Sequence, residues 1–235
     1  MEDTFDILLD EWKEQLETPR YISNLNELVS VVNEYIKKDG SVLEIGGGLS
    51  KHISHIDSKE KYVLDISKKL ISLNNLKGPT FIVGDVLNLP KKFENKFDVI
   101  FCSGLIHHIQ DHQLLIDNVK KCLKVGGLFI FLEPASISLS GLYFYLKHFL
   151  LKIFAKNKII QISGFIDEEE KYLNYFSFRK LMKKNNFMEV KYYTRQLVRL
   201  PPLKILKDIN IEKINDQFNI NPFGTTLVGV FLKNS

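Results

Sequence analysis

A run of glycines, two spaced aspartates and a pair of adjacent histidines are the residues of this chain best suited to chemistry. Gly46, Gly47 and Gly48 follow the short apolar run 41–45. A glycine turn after a buried strand lets backbone approach a ligand closely, because no Cβ intervenes. The dinucleotide-binding fingerprint would place another glycine three positions after Gly48, and Lys51 stands there instead. Asp65 closes a second apolar run, where a carboxylate can accept hydrogen bonds from the vicinal hydroxyls of a ribose. Its competing role is an exposed cap on a helix starting near Ser67. Asp85, after Gly84 at the end of a third run, can accept from the exocyclic amine of an adenine or simply form a turn. His107 and His108 are acid/base candidates, since a neutral imidazole can take the proton of a hydroxyl near neutral pH. The competing role for either histidine is packing or a bond to backbone.

These residues need a scaffold that gathers them. Apolar runs at 41–45, 61–64, 80–83, 97–102 and 128–132 predict five strands. Each ends on a glycine or a polar residue. Helical spacing appears over 6–16, 25–36 and 111–123, with Asp111 as the N-cap of the last. The helix after the glycine run looks short. Strands alternating with helices predict parallel βαβ units in a doubly wound α/β fold. The run 98–102 is apolar on both faces, as a sheet covered by helices on both sides requires. In such a sheet ligands bind at the carboxyl ends of the strands. The loop 46–50, Asp65, Asp85, 103–108 and Glu133 should therefore meet at one edge. Further on, 167–186 reads as helical with a break near Ser177, and 187–193 and 225–232 read as two more strands. The apolar segment 139–160 contains Tyr143, Phe144, Tyr145, Phe149 and Phe154 among scattered lysines. It suits a cap over an acceptor, or alternatively a helix lying on a membrane surface.

Composition narrows the classes. The 235 residues suit one large domain. Within it the expected parts are an N-terminal helical lid over 1–38, a cofactor-binding core over 41–133, an acceptor cap and helix over 136–186, and C-terminal strands over 187–235. The formal charge of +4 is mild, and arginine is confined to Arg20, Arg179, Arg195 and Arg199. Proteins that read nucleic acid lean on arginine forks, so nucleic acid is not the expected partner. Cys102 and Cys122 form no CxxC and fall in core elements, which predicts a reducing compartment. The first residues lack the basic start and apolar run of a signal peptide, so a cytoplasmic protein is expected. His52 and His55 could share a helix face, and His112 lies near the His107 pair. Without HExxH, CxxC or an acidic partner, no metal is expected.

Taken together, the motifs Glu44-Ile45-Gly46-Gly47-Gly48, Asp65, Gly84-Asp85, Phe97-Asp98-Val99-Ile100, His107-His108 and Leu123-Lys124-Val125-Gly126-Gly127 resemble class I S-adenosylmethionine-dependent methyltransferases. The likeness is greatest to the branch that methylates sugars, quinones and other small molecules. It covers residues 42–133, and 223–232 is similar to the family's antiparallel seventh strand. The resemblance implies a seven-stranded, mostly parallel sheet of order 3-2-1-4-5-7-6, with helices on both faces. It also implies S-adenosylmethionine as cofactor. Glu44 and Gly46 to Gly48 would lie at its methionine part, Asp65 at the ribose and Asp85 at the adenine. Ile66, Val86 and Ser103 would be further cofactor-binding positions. His107 and His108 would lie near the acceptor, assisted by Glu133. The chain departs from the family at Ser50, where glycine is usual. The expected reaction is O-methylation of a small-molecule, sugar or lipid-linked acceptor by in-line displacement, with a histidine base. Two alternatives remain open. A tRNA wobble-base methyltransferase would use the basic run Lys191, Arg195, Arg199, Lys204 and Lys207. A non-catalytic, methyltransferase-like binding partner has less in its favour, because it would not need Asp65 and Asp85.

Overall fold

Apolar runs too short for helices become strands, and the strands join in one sheet. The computed structural model describes residues 13–14, 16–135, 173–195 and 225–234. In chain order the strands are β1 (Ser41–Ile45), β2 (Glu60–Asp65), β3 (Thr80–Val83), β4 (Phe97–Ser103), β5 (Leu123–Pro134), β6 (Phe187–Arg195) and β7 (Thr226–Lys233). Their order is β3-β2-β1-β4-β5-β7-β6. Neighbours among the first five are parallel, and β7 runs antiparallel to both β5 and β6. This is the topology that the family resemblance implies.

Both faces of the sheet are covered. All five residues of β1 are buried, as a central strand between helical layers requires. On one face Leu43, Ile45, Phe129 and Phe131 pack against α3 (His112–Cys122) and α4 (Tyr175–Lys184). On the other, Val42, Val99, Phe101 and Ile130 pack against Leu28, Val31 and Val32 of α1 (Pro19–Tyr35). Helix α1 begins earlier than its apolar spacing suggests. The Thr18 hydroxyl accepts the amide of Tyr21, and Pro19 fits the first turn, where no amide partner is needed.

Two further elements differ from expectation. The segment after the glycine loop is a single 3₁₀ turn, His52–His55, and not a helix. Helix α4 runs unbroken through Ser177. That residue lies in its first turn, and its amide is capped by Asn174. The expected helix at 6–16, apart from residues 13–14 and 16, lies outside the described residues, as does the cap segment 139–160. Among the described residues no helix is long and apolar enough to cross a membrane.

Candidate active site at the carboxyl edge

The parallel register carries the ends of β1, β2, β3, β4 and β5 to one edge. After Ile45 the chain turns sharply, and the amides of Gly46 and Gly47 both donate to Leu64 O. Gly46 has φ +70° and a Cβ there would lie 2.8 Å from Leu105 Cδ1. A Cβ at Gly47 would lie 2.6 Å from Val63 Cγ1. The loop therefore needs glycine for space as well as for conformation. Asn74, which the sequence reading missed, donates its side-chain amide to Gly48 O at 2.9 Å. Its signal was local: the Asn74 carbonyl accepts Leu76 N in an Asx turn after α2 (Lys68–Leu73).

Asp65 is not an exposed cap. It is 8% exposed, and Ser67 caps α2 instead. Asp65 Oδ1 accepts the Ser67 amide at 2.8 Å. Burial pushes its carboxyl up from the usual carboxylate range, partly offset by the amides of Ser67 and Gly48. Oδ2 lies 3.2 Å from where a Gly48 Cβ would be, so glycine keeps that oxygen open to the loop. Asp85 is exposed and forms a turn, accepting Leu87 N at 2.8 Å. Asn118 of α3 steadies the following residues through Val86 O and Leu87 O. Val86 is buried, while Ile66 and Ser103 are half-buried beside the same edge.

Glu133, at the end of β5, is fully buried. Its Oε1 accepts the amides of Leu105 and Ile106 at 2.8 and 2.9 Å, and its Oε2 meets His107 Nδ1 at 2.8 Å. One carboxylate thus fixes both the 3₁₀ turn Ile106–His108 and the orientation of the imidazole. With Nδ1–H donated to Glu133, Nε2 becomes the basic nitrogen. His108 is half-buried, its ring centroid 3.9 Å from that of His107. His112 Nε2 bonds Ile106 O at 3.1 Å and supports the same turn. Cys102 lies under Glu133. Burial and the Glu133 charge push its thiol well up, so it stays protonated and is no nucleophile.

The other polar candidates separate. His52 is buried and His55 exposed, so the two do not share a face. His52 Nδ1 meets Glu44 Oε1 at 3.0 Å, and the Ser50 hydroxyl donates to the same oxygen. Among the described residues no three His, Cys, Asp or Glu side chains gather as a metal site would need. In the basic run, Lys191 pairs with Glu34 at 2.7 Å and Arg195 with Glu27 at 3.2 Å. Arg199, Lys204 and Lys207 lie outside the described residues.

Comparison with known proteins agrees with this geometry. Residues 43–131 match the methyltransferase domain family. Phosphoethanolamine N-methyltransferase 1 of Zea mays is 32% identical over 118 residues, which is 46% of this chain and 23% of that protein. Ribosomal protein L11 methyltransferase of Clostridium perfringens is 27% identical over 113 residues, 43% of this chain and 34% of the relative. The match thus spans only about a quarter to a third of the length of these relatives. An S-adenosylmethionine-dependent methyltransferase of Thermotoga maritima superposes with a TM-score of 0.68 at 18% identity, covering 100% of this chain and 99% of that one. The methyltransferase solved with the Trm112 activator of Haloferax volcanii gives 0.68 at 13% identity, covering 98% of each. At such identities the likeness is one of fold. A methyltransferase domain on this fold implies S-adenosylmethionine as cofactor. The matched residues 43–131 carry the glycine loop, Asp65, Asp85 and the histidine pair, so the similarity to the methyltransferase domain family falls on the edge described above.

Proposed function

We propose that the chain transfers a methyl group from S-adenosylmethionine to a hydroxyl of a small-molecule, sugar or lipid-linked acceptor, with His107 as general base. The observation that carries this reading is the buried 2.8 Å contact between His107 Nδ1 and Glu133 Oε2. The edge also fits the cofactor. Gly48 leaves Asp65 Oδ2 open for ribose hydroxyls, and the second oxygen of Asp85 makes no hydrogen bond among the described residues. Glu44 Oε2 is a buried acceptor without a donor, near the loop where the amino-acid end would lie.

When bound, the cofactor supplies an electrophilic methyl on a sulfonium. The chain's own residues align the acceptor and manage its proton. His107 Nε2 receives the hydroxyl proton as the oxygen attacks. The resulting imidazolium is stabilised by the carboxylate of Glu133, whose position is set by two backbone amides. Alignment and exclusion of water can lower such a barrier by about 7–11 kcal/mol. The name of the Zea mays relative favours a second reading, a nitrogen acceptor; His107 would then take a proton from an ammonium. The free, buried Cys102 and Cys122 suit a reducing compartment such as the cytoplasm.

The test is to incubate cell extract with the protein and trideuteromethyl-labelled cofactor, then find labelled products by mass spectrometry. Labelled oxygen is expected, and labelled nitrogen would favour the second reading. On the product found, His107→Ala should lower kcat by roughly 10²–10⁴-fold with little change in cofactor affinity. Glu133→Gln should lower it less. Near-normal kcat in both His107→Ala and His108→Ala would show that no histidine base operates.

A further inference from the structure

The glycine loop covers a polar cluster that nucleoside recognition does not use. Glu44 sits one residue before the end of β1 and is 2% exposed. Its Oε1 receives the Ser50 hydroxyl and faces His52 Nδ1, while its Oε2 is buried with no hydrogen-bond partner. His52 is equally buried, and its Nε2 has no partner either. The imidazole is held between Phe101 of β4 and Tyr21 of α1, at centroid distances of 6.5 and 5.6 Å. Tyr21 is tied to the loop because its hydroxyl accepts the Lys51 amide at 3.2 Å. Burial, with the Glu44 charge adding to it, pushes the Tyr21 hydroxyl up to about 12, so it stays neutral.

A buried acceptor with no donor is unfavourable, and a group that brings donors corrects it. An ammonium brings three donors and the complementary charge. The proposed cofactor carries one at its amino-acid end, so the following inference rests on that cofactor reading. We infer that His52, with Ser50, is a positioning residue for the amino-acid end of the cofactor: the two saturate Glu44 Oε1 and leave Oε2 for the ammonium. Ser50 stands where the related family has glycine, so the chain supplies a hydroxyl donor where a glycine would offer none. The Glu44 side chain lies against Gly47, where a Cβ would be 3.1 Å from both Cγ and Cδ of Glu44.

The test compares two ligands on the full chain by calorimetry. S-adenosylhomocysteine has the amino-acid end, and methylthioadenosine shares the nucleoside but lacks it. His52→Ala should weaken S-adenosylhomocysteine about tenfold or more while leaving methylthioadenosine within about twofold. His52→Asn should recover most of the loss, because its side-chain amide can donate from the Nδ1 position. Methylthioadenosine binding by each variant also reports that it is folded. Equal losses for the two ligands, or no loss with S-adenosylhomocysteine, would overturn the positioning role while the cofactor reading stands. Failure of the unaltered protein to bind either ligand would overturn both.

Discussion

Asp65 acts oppositely on binding and on stability. Its carboxyl is raised in the folded state, by burial first. The folded chain therefore holds that proton more tightly than the unfolded chain. The resulting stabilisation is present below the ordinary carboxylate range and is lost as pH rises through the raised value. The ionised form of the buried Asp65 is thus unfavourable to the folded chain. Asp65→Asn should hold or raise the melting temperature at neutral pH, since the amide oxygen can still accept Ser67 N. The same change should weaken cofactor binding by about 1–3 kcal/mol, because ribose hydroxyls lose a charged acceptor. Scanning calorimetry and ligand titration check the two halves, and a lower melting temperature with unchanged affinity would make Asp65 structural. The place of Asp65 was legible as a polar residue closing an apolar run; its burial was not, because that depends on Gly48 and Leu70 folding over it. The pairing of His107 with Glu133 was expected only from the family resemblance. It depends on the β4–β5 register, in which Ser103 lies opposite Leu132. No spacing within the sequence encodes that.

At the scale of elements, close packing explains one glycine that has no part in the site. Gly229 of β7 pairs with Phe131 of β5, and a Cβ there would lie 2.3 Å from Phe131 Cζ. The Phe131 ring also stacks on Phe231 at 5.9 Å, so it has little freedom to withdraw. Gly229→Ala should destabilise the fold by about 1–3 kcal/mol, read as a lower urea midpoint. A neutral effect would show that the ring moves freely. Helix α4 is fastened to β6 by Arg179, whose Nε and Nη2 each lie 2.6 Å from Glu189. The Arg179 guanidinium holds the Glu189 carboxyl below the usual carboxylate range. A depressed acid stabilises above its unfolded pKa, and the contribution is lost as pH falls through the folded value. Both side chains are partly solvated, so Glu189→Gln should cost only about 1 kcal/mol at neutral pH. The gap between variant and unaltered protein should close in acid, and a gap independent of pH would exclude the ion pair as its source. Strand identities were legible here because alternating and continuous apolar runs survive in one dimension. The unbroken α4 was not, because Ser177 reads as a breaker until Asn174 is seen to cap it.

For the whole molecule, the order of strands decides the chemistry. Parallel strands β1 to β5 bring a glycine loop, two carboxylates and a carboxylate-backed histidine to one edge, although they lie far apart in sequence. The alternation of strands and helices was legible in the residues, because glycine and acidic residues close successive apolar runs; the order of the strands, with the antiparallel seventh, was implied only by the family resemblance. The Glu44–His52 cluster was not legible as such, because it needs α1 and the 3₁₀ turn to close over β1. The cofactor implied at this edge is S-adenosylmethionine. Titration calorimetry of the purified chain with S-adenosylmethionine, S-adenosylhomocysteine and NADH tests it most directly. Saturable, micromolar-range binding of the first two and none of the third is expected. Asp85→Ala should weaken that binding more than Asp85→Asn, which keeps an acceptor for the adenine amine. Saturable binding of NADH, with no heat from either adenosyl ligand, would contradict it.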